Sequence, residues 1–487
     1  MPLIIPGNSQ ASTGYTIDQS IRFNDNDSAF MKKDYSGDGS QTTFTLSGWF
    51  KLGVLSSTHC LFATGYLNGT TADFALYMNG DQIYFYGSYN GTNSQANRLE
   101  TTQFFRDHSA WYHIVFVADT TNALSGERLR LYVNGSRVTA FDTETYPSQN
   151  DTLRWGDATY THAIGASGDD TTSLNSQTPR FHYDGYMAEI HYLDGYAYDP
   201  SYFGLFNDSG IWIPKEYTGS YGTNGFKIDG RDASDLGDDE SGNGNDFSTS
   251  GLASHDFCLD SPTNNFCVLN PISKPSYGSY MNRNVTGVNL QVTENGDGAV
   301  QSYGYGTFVI SSGKWYYEFY TNTYPAANAI GFGWIELENA MTATDSGSSW
   351  KTPGMNQRHT SSSYSSWMWG LNNQTATGLS EFGQGVVIGV TTDFDNNTFT
   401  LTKNGSAYGS VDFDSVSPTY TLSGVEHLPL LFFGADGASL ATLNFGQDST
   451  FNGALSAGGN ADGNGHGNFK YAVPSGALAI CSRNVGS

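Results

Sequence analysis

Apolar and polar residues alternate with a period of two along much of this 487-residue chain, the period of a half-buried β-strand. TFTLSGWFKL (43–52) places Phe44, Leu46 and Gly48 on one face. WYHIVFVAD (111–119) is apolar on both faces, as a central strand covered on each side must be. In LRLYVNGSRV (129–138), Leu129, Leu131 and Val133 alternate with Arg130 and Tyr132 and lead into Asn134-Gly135. Such a pair takes the positive φ angles of a tight primed hairpin. TFTLTKNGSAYGSV (398–411) repeats the device at Asn404-Gly405. GYMAEIHYLDGYAYD (185–199) closes a first group of strands, and no stretch up to about Lys215 has a long helical period. A second group runs GKWYYEFYTN (313–322), AIGFGWIEL (329–337), GVVIGVTTDF (385–394), the second hairpin, LPLLFFGAD (428–436) and SLATLNFGQ (439–447). The pattern predicts an all-β chain of two tandem antiparallel β-sandwiches.

Its texture divides the chain into an N-terminal arm (1–18), a first sandwich (19–216), an acidic Gly-rich connector (217–274) and a second sandwich (275–487). The connector reads as irregular, its early part pairing with one sandwich. The arm, MPLIIPGNSQASTGY, is too short to fold alone. It reads as a strand donated to a neighbouring subunit, or as a terminal strand or tail of its own sandwich. Residues 346–380, with TSSSYSSWMWGLNNQ, do not alternate cleanly and read as a long polar, aromatic loop, where a β scaffold presents binding groups.

Aromatic residues make up 14% of the chain and charged residues only 14%, so Ser, Thr, Asn, Gln and Tyr must cover much of the surface. The net charge of −25 makes nucleic acid an unfavourable partner, because that binding rests on Lys and Arg neutralising phosphates. No apolar run approaches the ~18 residues of a membrane span, and the first residues lack the basic start of a signal peptide. Cys60, Cys258, Cys267 and Cys481 read as free thiols, with a Cys258 to Cys267 bridge as the alternative.

Three chemistries need weighing. Glycoside hydrolysis requires two carboxylates across one sugar; Glu336 and Glu338 are two apart and would share a strand face near its end, yet no third acid follows at the right step. Calcium is the cofactor expectation. Asp229, Asp232, Asp235, Asp238, Asp239, Glu240 and Asp246 crowd one Gly-rich segment, and calcium takes hard oxygen ligands on adaptable backbone. Their spacing is not that of an EF-hand, and a solvated acidic turn is the alternative. Sugar binding is the strongest reading: Tyr364, Trp367 and Trp369 beside Asn372, Asn373 and Gln374 combine rings that stack on pyranoses with groups that bind hydroxyls. The alternative is that Trp367 and Trp369 form an inward strand face. His113 and His191 read as packed or surface residues rather than catalytic bases.

The order TLSGWFK, WYHIVFVAD, LRLYVNGSRV, GYMAEIHYLDG resembles laminin-G-like domains of the concanavalin-like class. GKWYYEFY, IGFGW, GVVIGVTTDFDNNTFTLTKNG and LPLLFFGAD followed by ATLNFGQ resemble a SPRY domain, whose variable loops on one rim form its partner-binding surface. MPLIIPG, YAYDPSYFG (196–204), GIWIPKEYTGSYGTNGF (210–226), SGNGNDF and DSPTNNFCVLNP resemble a group of marine bacteriophage virion proteins, tail-fibre or structural. That resemblance implies a component of a phage particle, exposed on the virion and associated with other virion proteins. It would adhere to a host-surface glycan or protein as a homo-oligomer, a trimer by resemblance, since the chain has no coiled-coil heptad. It implies binding without catalysis. A capsid decoration or fibre-joint protein is the first alternative, a polysaccharide depolymerase the second.

Overall fold

A computed structural model describes residues 14–64, 74–87, 97–167, 179–271, 284–293, 302–323, 329–342, 354–360, 363–369, 374–375, 383–415, 420–433 and 439–485. Nearly all regular structure is β, in antiparallel sheets, with short helices at Leu337–Thr342 and Ser482–Val485. The chain divides into two compact units, one within residues 7–265 and one within 266–487.

In the first unit two eight-stranded sheets face each other. One centres on Tyr112–Asp119, Thr43–Leu52 and Gly185–Asp194, with Leu129–Val133 and Ser20–Phe23 outside them. The other runs Phe141–Thr145, Asn97–Thr101, Gln82–Gly87, Phe74–Asn79, Thr58–Thr64, His162–Ile164, Phe30–Lys33 and Ser248–Ser250. Their facing rows form one core: Phe44, Leu46, Phe50, Ile114, Phe116 and Leu131 meet Leu76, Met78, Phe85 and Leu99. The doubly apolar 111–119 segment is covered on both sides, with Ile114 and Phe116 in the core and Val115 and Val117 under a second layer.

Both Asn-Gly pairs form two-residue hairpins. Val133 pairs with Ser136 and Lys403 with Ser406, and φ is +47° and +76° at Asn134-Gly135 and +49° and +76° at Asn404-Gly405. Each asparagine also ties its turn to the next strand. Asn134 Oδ1 accepts from His113 N at 2.8 Å, and Asn404 Oδ1 accepts from Val387 N at 2.9 Å. A Cβ on Gly135 would run into the indole of Trp212. We expect Gly135→Ala to destabilise the first unit by about 2 kcal/mol, the left-handed backbone costing about half of it. Gly126→Ala, where nothing lies within 4 Å, should change it by less than about 0.5 kcal/mol in the same urea titration.

Residues 217–265, expected as connector, supply strands to the first unit. Phe226–Ile228 pairs with Gly185–Asp194, Ser248–Ser250 with Phe30–Lys33, and Phe257–Cys258 with Ser20–Phe23. The DSPTNN stretch is then pinned by buried polar contacts. Lys51 Nζ lies 2.6 Å from Asp260 Oδ2 and 2.7 Å from Asn265 Oδ1, and Thr263 Oγ1 bonds both the N–H and the C=O of Ile17. Short polar side chains thus replace apolar area as the glue, which the acidic, Gly-rich composition concealed. All four cysteines are free and buried.

The second unit pairs Leu440–Asn444, Lys314–Thr323, Val387–Asp393, Thr398–Lys403 and Ser406–Asp412 in one sheet. The facing sheet runs Ser302–Tyr305, His427–Phe433, Ala329–Glu336, Gly354–Thr360, Ser363–Trp369 and Gln374–Thr375. Part of the expected 346–380 loop is therefore a hairpin, with Gly354 opposite Trp369 and Thr360 opposite Ser363. Ladder hydrogen bonds hold it there despite its irregular polarity. The strand carrying Glu336 ends at that residue, and Glu338 lies in the first turn of the Leu337–Thr342 helix, so the two do not share a strand face. Glu336 instead accepts the Tyr420 hydroxyl at 2.5 Å.

Candidate functional site

Residues 196–221 form a flap over the outer face of the first sheet. Val115, Val117, Tyr132 and Leu193 pack beneath Phe203 and Tyr217. Polar anchors fix it. Thr45 Oγ1 donates to Tyr196 O at 2.8 Å and accepts from Tyr198 N at 2.9 Å; Trp212 Nε1 donates to His113 Nδ1 at 3.1 Å; the Tyr221 hydroxyl lies 3.1 Å from His191 Nδ1. A bulge at Ala188/His191, with Glu189 at φ +49°, lets Met187 and Ile190 both reach the core while His191 joins Phe203, Tyr217 and Tyr221 on the flap side.

What the flap presents is aromatic. Asp199 caps a short 3-10 turn, accepting from Ser201 N at 2.9 Å, with Pro200 at its first position, the arrangement that starts such turns. The chain folds back so that Tyr202 lies on Tyr198, ring centroids 4.0 Å apart and planes within 4°. Tyr196 leans on Tyr198 at 5.4 Å. Tyr202 is 41% exposed and Phe206 52%. One face of Tyr202 is thus backed by a partner ring while the residue remains open to solvent. A pre-stacked ring of this kind gives the apolar face of a sugar a contact at little ordering cost. The Asp-Pro-x-Tyr spacing, four residues from Tyr198 to Tyr202 across a capped turn, was the available sequence signal.

On the opposite sheet, Tyr77, Tyr84 and Tyr86 also cluster, but they pack on one another, stacked, tilted and edge-on, at 5.4 to 6.3 Å, and the Arg98 guanidinium lies 4.9 Å from the Tyr86 ring. Neighbours occupy these rings, which makes them sheet-face packing.

The buried Ser47 and His113 do not form a nucleophile and base. An indole N–H can only donate, so His113 Nδ1 accepts from Trp212, and the ring proton sits on Nε2, 2.9 Å from Ser47 Oγ. His113 therefore donates to the serine it would have to deprotonate. Burial pushes its pKa down to about 3, with His191 adding to the effect. Glu189 is held down to about 2: its burial opposes ionisation, and His191, Lys227 and the Tyr15 hydroxyl outweigh that cost.

The expected calcium ligands are spread over separate tasks. Asp229 pairs with Arg231 and Lys227; Asp232 caps Ser234 N at 2.8 Å; Asp239 accepts the amides of Lys227, Ser241 and Asn245 at 2.8 to 2.9 Å; Asp246 accepts Asp239 N at 3.1 Å; the backbone N–H of Asp238 bonds Asp235 O. Among the described residues no group of three or more His, Cys, Asp or Glu is placed to hold a metal ion. Of the expected sugar-binding residues, Tyr364, Trp367 and Trp369 lie in Ser363–Trp369 and Gln374 in Gln374–Thr375, with Trp367 opposite Asn356 and Thr375, and Gln374 opposite Met368. Asn372 and Asn373 lie outside the described residues.

Family models agree with this architecture. Residues 22–177 match the laminin G type of the concanavalin A-like lectin/glucanases superfamily, and residues 314–446 match the SPRY domain. The chain thus carries one domain of each kind; such domains are typically binding modules. A search of curated proteins found no match. Among solved structures the chain is similar to the SPRY domain of human HERC1 (15% identity, 36% of this chain and 96% of that one, TM-score 0.26). It is also similar to a SAP-like pentraxin from Limulus polyphemus (14%, 37% and 78%, 0.27) and to a putative carbohydrate binding protein from Bacteroides ovatus (14%, 49% and 60%, 0.30).

Proposed function

We propose that this chain is a non-catalytic adhesin of a bacteriophage particle, a tail fibre or similar appendage that attaches to a host-surface glycan. The exposed Tyr198–Tyr202 stack, mounted on an anchored flap of a lectin-type sandwich, carries the glycan reading. The virion setting is supported by the run of phage-like motifs from YAYDPSYFG to DSPTNNFCVLNP. Each site offers one backed ring and so binds weakly. Several copies on one particle, as in a homotrimer, convert weak contacts into firm attachment through effective concentration. Chemistry on the ligand is unnecessary for that work.

The test is competition. Purified protein should block adsorption of particles that carry it, and Tyr202→Ala should weaken the block about tenfold, the equivalent of ~1.4 kcal/mol. No competition by the intact protein, with antibody labelling confined to the capsid, would replace this reading by a decoration role. Release of reducing ends from the host glycan would replace it by depolymerisation.

A further inference from the structure

We infer that Lys51 and Asn265 become joined, once the chain has folded, by an amide bond between their side chains, with Asp260 carrying the proton. Three groups able to react with one another share one buried site. Lys51 Nζ lies 2.6 Å from Asp260 Oδ2 and 2.7 Å from Asn265 Oδ1, and the Lys51 and Asp260 side chains are 1% and 0% exposed. An amide C=O is about 1.23 Å long, so Nζ stands no farther than about 3.9 Å from Asn265 Cγ. A small turn of the amide reaches the about 3–3.5 Å of a reacting pair. The surroundings hold all three groups in place. Asn265 Nδ2 donates to Ser109 O at 2.5 Å, Asp260 Oδ1 accepts from Trp111 Nε1 at 3.0 Å, and the Tyr186 ring lies 5.8 Å from Nζ. Trp111, Tyr186 and Asn265 are themselves buried, which keeps water from competing for the acyl group.

The reaction is an acyl transfer that needs no cofactor. Lys51 passes one ammonium proton to Asp260 Oδ2, and the freed lone pair of Nζ attacks Asn265 Cγ to form the new N–C bond. Asp260 returns that proton to Nδ2, the Cγ–Nδ2 bond breaks and ammonia leaves. A second proton from Nζ follows through the same carboxylate, so ammonium is released and Asp260 ends as it began. One ammonium and one primary amide have become a secondary amide and an ammonium ion, with no change of oxidation state. Asp260 is the base and not the acyl partner, because a carboxylate anion facing the Trp111 N–H and the ammonium is a poor electrophile. Amides react slowly, and fixed proximity, worth an effective concentration of about 10⁵ M or more, supplies the drive. Freshly folded protein therefore holds the ion pair, and the cross-link accumulates with time. The product ties the strand Thr43–Leu52 to the end of the first unit, so a pull on residue 265 is borne by a covalent bond.

The experiment is mass spectrometry of the full chain, freshly purified and again after days of warm storage below its melting temperature. By the end of storage the protein should be lighter by one ammonia. Trypsin should then give a branched peptide in which cleavage after Lys51 has failed and the segment holding Asn265 is attached. Lys51→Met and Asn265→Leu should retain that ammonia, and Asp260→Asn should slow its loss about a hundredfold, the scale of a proton-transfer group. The unaltered protein decides the matter even where a variant fails to fold. An aged chain with the full mass of its sequence overturns the cross-link. So does an ammonia lost as a succinimide at an Asn-Gly pair, with Lys51 still cleaved. Loss of water, with Lys51 joined to Asp260, overturns the roles given to Asp260 and Asn265. An unchanged rate in Asp260→Asn removes Asp260 from the reaction.

Discussion

Lys51→Met should cost the first unit about 3–5 kcal/mol, the scale of breaking a buried ion pair from one side. Lys51 and Asp260 are 1% and 0% exposed, with Nζ 2.6 Å from Oδ2. Asp260 Oδ1 also accepts from Trp111 Nε1 at 3.0 Å, and Asn265 turns its own oxygen to the ammonium at 2.7 Å. Methionine fills the stem of the lysine but leaves the carboxylate in a dry site without its cation. Urea unfolding should show the midpoint falling with the slope unchanged. The double variant Lys51→Met, Asp260→Asn should recover part of the loss, since asparagine keeps an acceptor for the Trp111 indole without a charge left unpaired. A single-variant loss below about 1 kcal/mol would show that this pair does not hold the 260–265 stretch down.

Glu318 governs the second unit in a different way. It is fully buried, and its two oxygens accept from Tyr316 Oη (3.0 Å), Tyr471 N (2.9 Å), Lys470 N (2.8 Å) and Asn444 Nδ2 (3.4 Å). Glu318→Ala would strand the two backbone N–H groups, each costing about 1–3 kcal/mol when buried without a partner. It should open the segment around residues 456–476 to limited proteolysis. The pH dependence follows from the same burial, which raises the carboxyl from 4.5 to about 7 against the opposing donors. Between those values the native state keeps a proton that the unfolded chain has released. Stability from this group therefore falls as pH rises from about 4.5 to about 7, by about 3 kcal/mol at most, and is flat outside that window. Melting at about pH 5 and pH 7.5 should show the fall, and Glu318→Gln should abolish it. A rise in melting temperature across that interval would mean that the four donors, and not burial, set the carboxyl.

Both predictions concern groups invisible in the alternation of the chain. Lys51 is the charged residue of TFTLSGWFKL and Glu318 that of WYYEFY, and a charge in an apolar strand points by itself to the solvent side. In the fold, later segments reach those outer faces: Asp260 and Asn265 meet Lys51, and the amides of Lys470 and Tyr471 meet Glu318. Polar side chains facing outward then became buried anchors. The same event took the acidic residues of 229–246, which composition offers as calcium ligands, and used Asp239 and Asp246 to satisfy turn amides. Of the residues expected at 364–374 to bind sugar, Tyr364, Trp367 and Trp369 stand on a strand paired with Gly354–Thr360, a pairing that the irregular polarity of the segment hid.

The sequence by itself determined what local chemistry can specify: a period of two for the strands, positive φ at Asn134-Gly135 and Asn404-Gly405 for the hairpins, and double-sided apolarity for the central strand 112–119. These rest on backbone sterics and on one residue's preference for one face, and neighbours in sequence are sufficient for both. Only the tertiary structure decided which outer faces are covered, because that depends on segments tens to hundreds of residues away finding hydrogen-bond partners. It thereby decided that Ser47, His113 and Glu318 are interior and that Tyr202, stacked on Tyr198, is left at the surface.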